Sequence, residues 1–148
     1  MNPRNICAEV ECTVEFYDVD SMEVVWHGNY VKYFEKARCA LLNMIGYGYR
    51  EMRDSGYAFP VTDISLKFIR PLRFGERVRI KAILDEYENR LRIKYELSRP
   101  ETGEITTKGM STQMAYHIAS QDSCFVCPRI FTDKVEALLA ESEPGGSS

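Results

Sequence analysis

Only one long stretch of this chain carries the period of an α-helix. Between Asn29 and Gly46, the residues Tyr30, Phe34, Ala37, Leu41 and Met44 recur at three- and four-residue intervals, which gives a helix one wide apolar stripe. Asn29 stands where an N-cap belongs, and Gly46 ends the run. Around this helix the pattern has period two. Val10, Cys12, Val14 and Phe16 share one face of a strand predicted over residues 8–17. An apolar run with breaks spans 59–68 and stops at Arg70-Pro71. Val78, Ile80, Ala82 and Leu84 alternate, as do Leu91, Ile93, Tyr95 and Leu97 with Arg92, Lys94, Glu96 and Ser98. Residues 104–119 predict a long last strand, 48–54 a short second helix and 135–139 a closing one. Turns at Asn89 and at 100–103 make the late strands antiparallel neighbours. One amphipathic helix with one sheet to lie on leaves a single economical packing. It is an α+β architecture in which a curved antiparallel sheet wraps the helix.

A chain of 148 residues suits one domain, expected over 1–141, with the small polar tail 142–148 expected to be disordered. A net charge of −3 gives no support to bulk nucleic-acid binding. No apolar run approaches the roughly 20 residues of a membrane span, and the first residues lack the apolar core of a signal peptide, so a cytoplasmic protein is expected. The five cysteines, Cys7, Cys12, Cys39, Cys124 and Cys127, are odd in number and scattered, which argues against a disulfide framework. Cys124 and Cys127 form a C-x-x-C, a weak zinc signal without a second pair or a nearby His. A redox motif would open a helix, and here Pro128 follows directly, so reduced thiols beside a late strand or loop are expected. The two histidines lie far apart, and neither a metal nor a cofactor is expected.

The chemistry concentrates between Phe16 and Arg38, in FYDVDSMEVVWHGNYVKYFEKAR. Asp18 and Asp20 lie two apart at the end of the first predicted strand, so they share a face if that strand persists. Asp18 reads as a turn-forming residue, whereas Asp20 reaches further into the loop. His27 sits beside Gly28, where a backbone can approach a ligand, and at the place where unpaired N–H groups of a helix start gather. Trp26, Tyr30, Tyr33 and Phe34 could line an apolar pocket, although Phe34 reads as core. Glu35 reads as a polar-face helix residue, and His117 as a strand residue with no catalytic neighbour. The basic stretch from Leu66 to Lys81, with Lys67, Arg70, Arg73, Arg77 and Arg79, reads first as a solvated strand face and second as an attractor of nucleotide phosphates. No nucleophile elbow, P-loop, dinucleotide fingerprint or zinc-protease motif occurs.

The segment YDVDSMEVVWHGNYVKYFEKAR resembles the signature of the 4-hydroxybenzoyl-CoA thioesterase family, including the acyl-CoA thioesterases associated with the Tol–Pal system. The stretch ISLKFIRPLRFGERVRI is similar to the family's strand, Arg-Pro and strand with a Phe-Gly-acid turn, and the resemblance covers about residues 8–118. It implies the hotdog fold, a five-stranded antiparallel sheet around one long central helix, and a homodimer with active sites at the subunit interface that pairs again into a homotetramer. It implies hydrolysis of an acyl-CoA or acyl-carrier-protein thioester, with the catalytic carboxylate on Asp20 and the family histidine on His27. Glu23 stands where many members carry Gly. Phe16 stands where some carry Tyr, and Tyr17 would face the other way in a strand.

Such a reaction needs a base or nucleophile and a place for the oxyanion, because a thiol departs without a strong acid's help. Carboxylates are ionised at neutral pH, so base or nucleophile is the simpler role for Asp20. Backbone N–H groups around His27 and Gly28 at the helix start, with Asn29 beside them, would hold the oxyanion, His27 would orient the carbonyl or a water, and Trp26 and Tyr30 would line the acyl site. Two alternatives stand beside this reading. One is a hotdog hydratase or dehydratase, although the Pro-rich His loop of fatty-acid dehydratases is missing. The other is a non-catalytic acyl-binding module.

Overall fold

The computed structural model describes residues 2–142. Five strands form one antiparallel sheet in the order β1-β4-β5-β6-β3. They are β1 (Cys7–Thr13), β3 (Val61–Phe68), β4 (Arg77–Glu86), β5 (Leu91–Ser98) and β6 (Ile105–Gln113). The long helix α1 (Tyr30–Ile45) lies across this sheet, followed by α2 (Tyr49–Asp54). A second, small sheet joins β2 (Tyr57–Ala58), β7 (Tyr116–His117) and β8 (Asp122–Ser123) in the order β2-β7-β8. The chain closes with α3 (Arg129–Ser142). This is the hotdog arrangement, with α1 as the central helix.

Tyr30, Tyr33, Phe34, Ala37, Leu41, Leu42 and Ile45 are the buried face of α1, which packs on β1 and β4. Phe34 stacks on Tyr95 of β5 with ring centroids 4.3 Å apart and planes 6° off parallel. Gly109 of β6 makes room for that stack, because a Cβ there would come within 2.4 Å of the Phe34 ring. Gly46 ends α1 in the left-handed region at φ 88°, as a C-cap glycine should. Met44, placed on the stripe by the sequence, is largely exposed, while Leu42 and Ile45 are buried.

Three elements differ from expectation. The first strand stops at Thr13, not residue 17, because Glu15 and Asp18 cap a short 3-10 turn over Phe16–Asp18. Asp18 and Asp20 therefore do not share a strand face. Phe16 and Tyr17 stand together on this turn, both exposed, with rings 5.6 Å apart. The long last strand is broken after Gln113: Tyr116 and His117 leave the main sheet and pair with β2 and β8. The closing helix is longer than expected, because Pro128, which has no N–H to lose, precedes its first turn. Phe131, Val135 and Leu139 bury one side of it. The tail expected over 142–148 lies outside the described residues except for Ser142, the last residue of α3.

The five cysteines are free. Burial pushes the Cys127 thiol up to about 12, so it is an inert core thiol at neutral pH. Much of the basic stretch is paired on the surface: Arg79 lies 3.8 Å from Glu9, Arg70 lies 3.4 Å from Glu104, and Arg77 pairs with Glu11. Its side chains are thus a solvated strand face that mixes both signs of charge.

Candidate active site

The loop between β1 and α1 is fixed by its own polar groups. Asp18 is its hub, 6% exposed. One carboxylate oxygen accepts the Glu15 N–H at 2.9 Å and the Tyr33 hydroxyl at 3.1 Å. The Asp18 carbonyl accepts the Trp26 N–H at 3.1 Å and the Asn29 side-chain amide at 2.7 Å. One residue thus ties together the start of the loop, its end and the second turn of α1. Burial and then the Asp18 charge push the Tyr33 phenol up, so it donates and does not ionise. Asn29 occupies the N-cap position of α1, but its side chain makes no cap and is spent on Asp18.

Between these ties the chain forms a small hairpin. Val19 and Val25 are bridged, the Asp20 N–H reaches the Val24 carbonyl at 2.9 Å, and the Glu23 N–H reaches the Asp20 carbonyl at 2.9 Å. Glu23 takes the left-handed conformation that closes the turn, with φ 62°. The family's glycine position is therefore filled by Glu with the turn intact. Asp20 is exposed at the hairpin tip, and its carboxylate accepts the Met22 N–H at 2.8 Å.

Residues 70–76 form the platform beneath this hairpin. Val24 bridges to Arg73, the Val25 N–H donates to Leu72 at 2.8 Å, and the Gly75 N–H donates to Val14 at 3.0 Å. Glu76 holds the platform by accepting the Arg73 N–H at 2.8 Å and the Arg99 guanidinium at 2.7 Å, and the hydrogen bond from Arg99 keeps its carboxyl below the usual range.

His27 begins a 3-10 turn that leads straight into α1. Its ring lies 4.7 Å from Phe68 at the end of β3, and Tyr30 lies 5.0 Å from Phe68 on another side. These rings, with Val24, Val25 and Pro71, border a cavity of about 230 Å³. The His27 and Gly28 N–H groups make no hydrogen bond to a described residue. The Trp26 ring folds over Gly28, where a Cβ would meet it at 2.1 Å, so glycine is required for this approach.

The structure thus brings His27 and Tyr30 to one cavity and sets Gly28 and Trp26 against each other beside it. Tyr30 is itself buried, 2% exposed. Asp20 does not line the cavity within a single chain. Sequence reasoning missed Phe68, which looked like one more apolar strand residue, and the hub role of Asp18, which depends on a tyrosine fifteen residues away. Among the described residues no group of His, Cys, Asp and Glu could hold a metal, and no helix is long and apolar enough to cross a membrane.

The family model described as the Thioesterase-like superfamily matches residues 14–137, which include the whole loop, α1 and the sheet from β3 onward. The chain belongs to this superfamily. A putative acyl-CoA thioesterase of Bacillus subtilis, YneP, is 30% identical over 105 residues, covering 70% of this chain and 75% of that one. Among solved structures, a DHNA-CoA thioesterase from Staphylococcus aureus superposes with a TM-score of 0.77 at 28% identity, covering 93% of this chain and 95% of that one. A hypothetical protein from Thermus thermophilus gives 0.79 at 27% identity, covering 88% and 98%.

Proposed function

We propose that this superfamily member is an acyl-CoA thioesterase that hydrolyses its substrate to a free acid and a thiol. The observation that carries the reading is the pair of unbonded N–H groups at His27 and Gly28, at the entry to α1 and beside the cavity that His27 borders. A thioester carbonyl held there would have its developing charge met by two fixed donors, each typically worth about 3–4 kcal/mol of barrier. Asp20 supplies the base or nucleophile, and His27 orients the carbonyl or the attacking water. Names of relatives point the same way, although they divide between CoA and acyl-carrier-protein thioesters.

The working unit in this reading is a homodimer, and its seam is β3. That strand is bonded to β6 on one side only, and Val61, Ile64 and Phe68 are exposed along it. An open edge that carries exposed apolar side chains invites a second copy. Asp20, exposed on the hairpin tip, is then enclosed by the copy's surface. Pairing of dimers into a tetramer and a cytoplasmic setting complete the proposal.

Asp20→Asn tests it. Thiol release from a panel of short, long and aromatic acyl-CoA esters is expected to fall by at least about a hundredfold with the melting temperature unchanged. Turnover at the parental rate rejects the mechanism. A crotonyl thioester that is hydrated without thiol release would reassign the protein as a hydratase.

A further inference from the structure

Arg99 stands outside the His27 cavity, in the turn between β5 and β6. Its backbone is fixed there: the N–H donates to the Glu104 carbonyl at 2.9 Å, and the carbonyl accepts the Gly103 N–H at 2.7 Å. Each arm of its guanidinium then finds a different acceptor. Nε donates to the Glu76 carboxylate at 2.7 Å, Nη1 to the Glu104 carboxylate, and Nη2 to the Pro71 carbonyl at 3.1 Å. A planar fork of donors holds three acceptors at fixed angles to one another, which the ammonium of a lysine does not.

Two consecutive peptide units of the platform are gripped from that side. In the unit between Pro71 and Leu72, the carbonyl accepts from Arg99, and the Leu72 N–H donates to the Tyr30 hydroxyl oxygen. In the next unit, the Arg73 N–H donates at 2.8 Å to the Glu76 carboxylate that Arg99 holds, and the Leu72 carbonyl accepts the Val25 N–H at 2.8 Å. The N–H and C=O of a trans peptide point opposite ways, so a bond on one side orients and polarises the group on the other. Arg99 therefore holds the outer side of both units, and the active-site loop and α1 take the inner side. Glu104 extends the grip: its carboxylate also lies 3.4 Å from the guanidinium of Arg70, which lines the cavity with Pro71. Val25, hung on the second unit, leads directly into Trp26, His27 and Gly28.

We propose that Arg99 is a positioning residue for the thioester site, acting through the two peptide units around Leu72 to fix where the His27 and Gly28 N–H groups stand. The proposal rests on the thioesterase reading, and it holds within one chain, with or without a second copy.

Arg99→Ala tests it with two readouts. Thiol release is expected to lose about tenfold in kcat with KM nearly unchanged, the mark of misplaced donors. Millimolar guanidinium chloride, far below denaturing concentrations, is expected to refill the gap and restore much of that loss, whereas sodium chloride at the same ionic strength is not. Arg99→Lys keeps the charge and the stem, and it is expected to fall with Arg99→Ala, so the test stands even if the alanine variant does not fold. The second readout needs no turnover. Trp26 is the one tryptophan in the chain, and its ring lies over Gly28. Its emission is expected to be quenched more steeply by acrylamide in both variants, and guanidinium is expected to reverse the change in Arg99→Ala. A parental kcat in Arg99→Lys, rescue by sodium chloride equal to that by guanidinium, or a parental quenching curve overturns the proposal. If the intact chain releases no thiol from any ester, the thioesterase reading fails by itself, and the Trp26 signal still decides whether Arg99 holds this segment.

Discussion

The loop over residues 14–29 and strand β3 border the same cavity, one through Val24, Val25 and His27, the other through Phe68. They are held in opposite ways. Each bend of the loop is closed by a hydrogen bond from within the protomer: Asp18 to Glu15 and Tyr33, Asp20 to Val24, Val25 to Leu72. Strand β3 has a partner on one edge only, and Val61, Ile64 and Phe68 along it are partly exposed. The contrast separates two kinds of order. The loop is pre-organised by the chain that carries it, so in the proposed reaction its donors would need no rearrangement when charge develops. Strand β3 is left with an open edge by that chain, and in the proposed dimer the second copy would close it.

The hardest blow to this contrast falls on the strand. Ile64→Lys places a charge in the middle of the free edge, where a monomer would scarcely register it because the site is exposed. In a paired edge the same charge must be desolvated. Sedimentation is expected to shift from dimer to monomer, with the dissociation constant raised at least about a hundredfold, equivalent to about 2.7 kcal/mol. Thiol release is expected to fall with it, while circular dichroism keeps its native shape. A variant that stays dimeric and active would show that the edge is not the seam.

A smaller effect, opposite in kind, is expected in the loop. Asp18→Asn keeps the size of the side chain and removes its charge. Both the Glu15 N–H and the Tyr33 hydroxyl point at one carboxylate oxygen, so the amide oxygen takes both only as a weaker, uncharged acceptor, while its NH₂ replaces an oxygen in a buried place. The cost is expected to be about 1–3 kcal/mol in urea unfolding, with no change in the dimer constant. Tyr33→Phe deletes the other partner, and the two substitutions together are expected to cost less than their sum. Full additivity would mean that the pair is incidental, and the hub account of the loop would fail.

Strong local patterns made much of this legible in advance. The helix from Tyr30, the Gly46 stop and the alternation in β4 and β5 are set by periods that a reader can count, and the tertiary structure only had to agree with them. The DVDSMEVVWHGN segment was legible as a resemblance, so the loop was found before its geometry was known. What stayed hidden depends on distance in sequence. The early end of β1 follows from Glu15 and Asp18 satisfying each other, a short-range preference that alternation masks. The break after Gln113 follows from β2 offering a partner more than fifty residues upstream. The exposure of β3 leaves no trace in composition, because it is a statement about what is missing nearby in space.

The smallest expected effect bears on how far the loop's order depends on its backbone alone. Glu23 closes the hairpin at φ 62°, a conformation that costs a residue with a Cβ about 1–2 kcal/mol and costs glycine nothing. Its N–H and carbonyl are both engaged, to Asp20 at 2.9 Å and from Phe74 at 3.2 Å, and these bonds survive any side-chain change. Glu23→Gly relieves the backbone cost but frees the unfolded chain, an entropic loss of about 0.5–1 kcal/mol. The balance is a net gain between zero and about 1.5 kcal/mol, with turnover unchanged because Asp20 keeps its place. Glu23→Val pays the full penalty of a β-branched residue in the left-handed region, and it is expected to lose about 1–2 kcal/mol and to loosen the tip that carries Asp20. If glycine destabilises the protein as much as valine does, the turn is held by the Glu23 side chain and not by the backbone bonds described above. The loop would then be less self-contained than its contrast with β3 requires.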